Sequence, residues 1–148
     1  EHNIDWQFDI YGAGTQYNNI KKYENDNISL FKHTDRQELI KKVSDIPVAL
    51  ISLDERITIE GFPGKTFDYL SMNKVLLSIS NSDSAVAKFI HRYKLGVNIE
   101  ADSLQSFLDA FEKLSSNQFL SDTLLNVKKV NENEINKSQI VKQYSNLI

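Results

Sequence analysis

Val48-Ala49-Leu50-Ile51-Ser52-Leu53 is a nearly unbroken apolar run of strand length, and it constrains this chain more than any other stretch. Such a run is expected of a central parallel strand covered on both faces. Other short strand patterns surround it. Trp6, Phe8 and Ile10 alternate with Gln7 and Asp9 before Gly12-Ala13-Gly14, and further runs cover Ile28 to Phe31, Val75 to Ile79 and Val97 to Ile99. Between them, apolar residues recur at helical spacing, as in Tyr17, Ile20 and Tyr23, or Val86, Phe89, Ile90 and Tyr93. Strands alternating with helices predict an α/β fold: a Rossmann-like parallel sheet of about five strands with helices on both faces.

Capping chemistry sharpens the helix boundaries. Asp35 with Glu38, and Asp102 with Gln105, have the spacing of capping boxes, and Asn81-Ser82-Asp83 offers caps to the helix that follows. Asn73 suits the left-handed end of the helix carrying Phe67 and Leu70. The tail from Ser121 to Ile148 reads as one or two helices. No repeat or low-complexity linker interrupts the pattern, so one domain over 1–148 is expected, and the start at Glu1 within a strand pattern suggests a piece of a longer protein.

Charge and composition exclude several classes of function. A formal net charge of −3, with basic pairs such as Lys21-Lys22 scattered among acids, argues against a nucleic-acid-binding face. There is no cysteine, which removes disulfides, thiolate nucleophiles and Cys-based zinc sites and is compatible with the cytoplasm. No apolar run approaches the roughly 20 residues that span a bilayer.

In a parallel α/β sheet, ligands bind outside the carboxyl ends of the strands. The loops at Gly12, Lys32, Glu60 and Ser80 therefore compete for the site. The one from Glu60 to Leu70 is the richest, because Glu60 and Asp68 flank a Pro, two Gly, a Lys and a Thr where a helix begins. A helix start presents unpaired N–H groups and a positive dipole end, whose natural ligand is an anion such as phosphate. Gly64-Lys65-Thr66 is not a P-loop, since Ile59 occupies the position where that motif needs its first Gly. Gly12-Ala13-Gly14 begins like a dinucleotide fingerprint but has Tyr17 in place of the third Gly. His33 lies in a loop after a strand, as an exposed polar residue or a ligand contact. The three His lack the spacing of a metal site.

Together these segments resemble the C-terminal half of a GT-B glycosyltransferase of the retaining family-four type. Phe8 to Gly14 is similar to that family's strand ending in Gly-x-Gly, and Val48 to Leu53 is similar to the strand before its donor loop. Glu60 and Asp68 match the spacing of its paired acids, and Pro63-Gly64-Lys65-Thr66-Phe67-Asp68-Tyr69-Leu70 resembles its Pro-x-Lys-x-x-Glu-Tyr-Met variant. Ser138 to Tyr144 resembles its final helix.

The resemblance implies that Asp68 holds the ribose, Glu60 lies against the donor sugar, and the backbone N–H groups of Gly64, Lys65 and Thr66 face the diphosphate. Gly12 and the base-seating loop with His33 complete the implied donor site. The donor is a nucleoside diphosphate sugar, with no cofactor and no metal, and the product is a glycan, a lipid-linked sugar or another glycoconjugate. The implied partner is an acceptor-binding N-terminal domain that this sequence lacks, with the parent cytoplasmic or peripheral to a membrane and the fragment alone inactive. Asp68 replaces the usual Glu, Pro63 stands where Gly is frequent, and the family's first strand and basic loop are missing. The remaining strands are expected to close up in the order 2-1-3-4-5. The alternative reading is a non-catalytic, flavodoxin-like binding or interaction module.

Overall fold

A computed structural model of the chain describes residues 6–54, 61–100 and 103–133. The fold is α/β, and every strand pair in its sheets is parallel. Where the sequence is read as one domain, the chain divides into two compact units, Glu1–Asp45 and Ile46–Ile148.

The first unit contains β1 (Phe8–Tyr11), α1 (Tyr17–Ile20) running into a 3-10 turn at Lys21–Tyr23, β2 (Ile28–Phe31) and α2 (Arg36–Lys42). β1 and β2 pair from Phe8 with Ile28 to Tyr11 with Phe31, and the last pair stacks its rings at 4.8 Å. Asp35 caps α2, its Oδ1 accepting from the N–H groups of Gln37 at 2.9 Å and Glu38 at 3.0 Å. Glu38 does not complete a capping box. Its carboxylate instead meets Lys42 at 2.8 Å and accepts from Thr34 Oγ1 at 2.6 Å, and these two bonds hold it below the usual carboxylate range. None of the described side chains of this unit is fully buried.

The second unit contains β3 (Val48–Ser52), α3 (Gly64–Ser71), β4 (Val75–Ile79), α4 (Ala85–Tyr93), β5 (Gly96–Ile99), α5 (Leu104–Leu114) and α6 (Asn117–Asn133). Its sheet has the order β3-β4-β5. The expected single sheet of five strands is not formed: the strands make one sheet of two and one of three. The central strand is β4, whose Val75, Leu76, Leu77 and Ser78 are all buried. β3, despite its apolar run, lies at an edge with Leu50 42% exposed.

The core gathers Ile51, Leu70, Leu76, Val86, Ile90, Leu95, Val127 and Val130. Each such side chain contributes about 1.5–3 kcal/mol when fully buried. Asn73 ends α3 in the left-handed conformation (φ 53°), as its identity suggests, and Lys94 does the same after α4 (φ 53°). The caps fall later than the sequence spacing indicates. Ser84 caps α4 by accepting from Ala87 N–H at 3.2 Å, and Ser103 caps α5 by accepting from Ser106 N–H at 3.1 Å. Gln105 bonds to Asp109 rather than acting as a capping-box partner, while Asp102 and the segment Ser138 to Tyr144 lie outside the described residues. α6 occupies the first part of the tail read as helical.

Gly96 has φ 154°, and a Cβ there would stand 1.7 Å from the Leu76 carbonyl oxygen. The obstacle is backbone of the central strand, which has nowhere to move. Gly96→Ala is therefore expected to destabilise the protein by more than about 3 kcal/mol, whereas Gly64→Ala, where a Cβ meets nothing within 4 Å, is expected to change stability by less than about 1 kcal/mol. Urea denaturation of the two variants measures the difference.

Candidate functional site

α3 connects two parallel strands, so its N-terminus lies at the carboxyl ends of β3 and β4, the edge at which ligands bind in α/β sheets. Its register is set by Thr66 and Leu70, one turn apart and both buried, which face the core. That orientation leaves Gly64 and Lys65 exposed at the helix start.

Pro63 is the N-cap, with φ −57° and ψ 135°. It has no side-chain acceptor, so among the described residues no side chain caps this helix. Aromatic packing holds the end in place instead. Phe62 precedes the cap and packs edge-on against Phe67 at 5.5 Å, the spacing of a hydrophobic staple that sets the angle at which the chain meets the helix. Phe62 also meets Phe89 of α4 at 5.2 Å, and Phe89 meets Tyr93 at 4.9 Å. At the opposite end, Asn131 of α6 donates to the carbonyl of Leu70 and, at 3.0 Å, to Asn73 Oδ1.

The helix start is thus pinned while its N–H groups face outward. Among the described residues, a Cβ built on Gly64 would touch nothing within 4 Å. An exposed Lys65 ammonium adds to the positive pole of the helix dipole. This arrangement fits an anion. Thr66 departs from its expected role: its N–H donates to the Pro63 carbonyl at 2.9 Å, and its side chain is turned into the core. Thr66 Oγ1 is buried there without a hydrogen-bond partner.

Asp68 sits one turn beyond Gly64, half-buried. Its charge acts on the adjacent Tyr69: burial first, and then the Asp68 carboxylate, push the Tyr69 hydroxyl above its usual value. Glu60 lies outside the described residues. Gly12 and His33 belong to the other unit, where both follow the carboxyl ends of paired strands β1 and β2 and so share one edge of that sheet. Gly12 N–H donates to Phe31 O at 3.0 Å, and His33 is exposed before the Asp35 cap. Within each unit the sequence-selected residues therefore cluster: Gly64, Lys65 and Asp68 on one helix start, Gly12 and His33 at one sheet edge.

A polar cluster at the end of β4 was marked in the sequence only by the loop at Ser80. Ser80 Oγ lies 3.0 Å from Ser78 Oγ, 3.0 Å from Ser84 Oγ and 2.8 Å from Asn98 Oδ1. Asn98 Oδ1 can only accept, so Ser80 donates to it and receives the hydroxyl protons of Ser78 and Ser84. Asn98 Nδ2 returns a bond to Ser80 O at 3.0 Å. Every member is engaged, so the cluster ties β4, β5 and the α4 cap together. The signal in the sequence was Ser78 and Ser80 at alternate positions in an apolar strand.

Comparison of the chain with protein families, with curated proteins and with solved structures finds no match. Among the described residues, no group of His, Asp or Glu is arranged to hold a metal ion, and no helix is long and apolar enough to cross a membrane.

Two outcomes follow from this geometry. Thr66→Val keeps the side-chain shape and removes a buried hydroxyl that bonds to nothing, so the variant should be more stable by about 1 kcal/mol in chemical denaturation. Tyr69 has a raised folded-state pKa, so its contribution to stability is fully present below the unfolded value of 10.0 and is lost as pH rises through the folded one. Thermal unfolding followed between pH 9 and about pH 11 should therefore show a steeper alkaline loss for the parent than for Tyr69→Phe, with Asp68→Asn intermediate.

Proposed function

We propose that this chain is the donor-binding half of a glycosyltransferase, which moves a sugar from a nucleoside diphosphate sugar to a glycan, lipid-linked or other acceptor. The observation that carries the reading is the start of α3, uncapped among the described residues, at the carboxyl edge of a parallel sheet, with Gly64 exposed, Lys65 beside it and Asp68 one turn along. A diphosphate matches that helix start in charge and in its acceptor oxygens. A carboxylate accepts hydrogen bonds from vicinal hydroxyls, and Asp68 takes that part toward a ribose in this reading.

In this reading Gly64 and Lys65 hold the diphosphate and Asp68 the ribose, and Glu60 attends the donor sugar. The bond from the anomeric carbon to the diphosphate oxygen breaks, and the leaving oxygen keeps the electron pair. The acceptor hydroxyl bonds to that carbon with retained configuration and gives its proton to the departing diphosphate oxygen. Stabilising the departing charge is the task of preorganised donors, here the α3 N–H groups and the Lys65 ammonium. The acceptor is bound by a partner domain. A metal is not required by the residues assigned, and the biosynthesis of a polysaccharide or glycoconjugate is the setting of such a reaction.

Titration of the 15N-labelled chain with UDP, GDP and ADP tests the assignment. At least one nucleotide should shift the amides of Gly64, Lys65 and Asp68 selectively, and Asp68→Ala should weaken its binding about tenfold, equivalent to about 1.4 kcal/mol. Absence of any response on α3 with all three nucleotides would overturn the reading in favour of a non-catalytic binding module.

A further inference from the structure

α6 is joined to the crossover helices α3 and α4 by asparagine as well as by apolar packing. Val127 and Val130 lie in the core with Leu70, Val86 and Ile90. Burial of that kind is non-directional, so it holds α6 against the other helices without fixing how far along them it sits. Two amides supply the direction. Asn131 Nδ2 donates to Leu70 O and, at 3.0 Å, to Asn73 Oδ1 at the end of α3, while Asn126 Nδ2 donates to Lys94 O at 3.3 Å at the end of α4. Asn73 and Lys94 are both left-handed, so each contact falls where a crossover helix stops.

Stability does not explain Asn131. Its Oδ1 is buried and has no hydrogen-bond partner among the described residues. Leu70 O already accepts from Asn73 N–H at 2.8 Å, and Asn73 is exposed to water, so neither acceptor depends on Asn131 for satisfaction. An apolar residue of the same shape would bury as much surface and orphan no acceptor. A single Asn that fixes register between packed helices at a cost in stability is the pattern found in coiled coils.

We infer that Asn131 is a positioning residue: it sets the register of α6 on α3, and through α3 the place of Gly64 and Lys65. α3 has eight residues, so it is about 12 Å long and moves as one body. A displacement at Leu70 therefore carries to the helix start. The functional consequence rests on the reading of that start as a diphosphate site. An α3 that slides between positions presents its N–H groups correctly for only part of the time, and affinity falls by that fraction.

Two variants of the full chain, compared by urea denaturation and amide hydrogen exchange, provide the test. Asn131→Leu keeps the side-chain shape and removes both bonds to α3. Asn73→Gly keeps the left-handed turn, leaves the α6 side chains intact and removes one of the two acceptors. For Asn131→Leu the urea midpoint is expected at or above that of the parent, while the amides of Asp68, Tyr69 and Leu70 exchange about tenfold faster and those of Leu76 and Leu77 in β4 do not. Asn73→Gly should move the same α3 amides in the same direction by less. A parent that binds UDP, GDP or ADP at Gly64 and Lys65 should lose about tenfold in affinity on Asn131→Leu. A contact that is merely structural gives a different pattern, a lower midpoint with exchange raised across β4 as well as α3, and that result overturns the proposal. Unchanged exchange on α3 in both variants overturns it too. A parent that binds no nucleotide removes the diphosphate reading alone, because the exchange comparison needs no ligand.

Discussion

Backbone pairing of β4 with a strand on each side is the constraint on which the second unit depends. Because β3 and β5 both run parallel to it, each connection must cross the sheet, and α3 and α4 are those crossovers. Burial of Val75, Leu76 and Leu77 then requires cover on both faces, which fixes the directions in which Leu70, Val86 and Ile90 point. The closeness of the ladder is visible at Gly96, where the Leu76 carbonyl occupies the space of a side chain. A strand so tightly enclosed tolerates polar groups only when they are satisfied, and Ser78 meets that condition through Ser80, Ser84 and Asn98.

The candidate site is a by-product of the same constraint. A helix crossing between parallel strands must present its N-terminus at their carboxyl ends, so the orphan N–H groups of α3 gather there without further design. What is particular to this chain is how that end is held. Phe62 and Phe67 clamp it by aromatic packing, Asn131 ties down the far end, and Pro63 supplies no cap. The outcome is an exposed helix start at Gly64 and Lys65, with Asp68 a turn away. Thr66, which the sequence pattern grouped with the anion-binding residues, is claimed by the core because it shares a helix face with Leu70.

The two units differ in what holds them. The second has a core of fully buried aliphatic side chains, whereas the described residues of the first rest on one pair of strands, the Asp35 cap and the Tyr11–Phe31 stack. Isolated two-stranded pairs are marginal in water. Gly12 and His33 therefore sit on the less deeply packed half of the chain, and Gly64, Lys65 and Asp68 on the better supported one.

The sequence by itself determined the α/β class, the positions of β1 to β5 to within about two residues, and the presence of the helix that carries Phe67 and Leu70. These are local properties, read from a period of two or 3.6 and from residues such as Pro63 and Asn73 with strong backbone preferences. It also singled out Lys65 and Asp68 near that helix start, while their exposure was read only from the structure. Only the tertiary structure decided which strand is central. The apolar run of β3 looks more central than β4, yet edge or centre depends on hydrogen bonds to residues distant in sequence, which periodicity does not encode. The caps at Ser84 and Ser103, the burial of Thr66 and the convergence of Ser78, Ser84 and Asn98 on Ser80 were settled in the same way. Each depends on which face a residue turns toward its neighbours, and that direction exists only once the elements have packed.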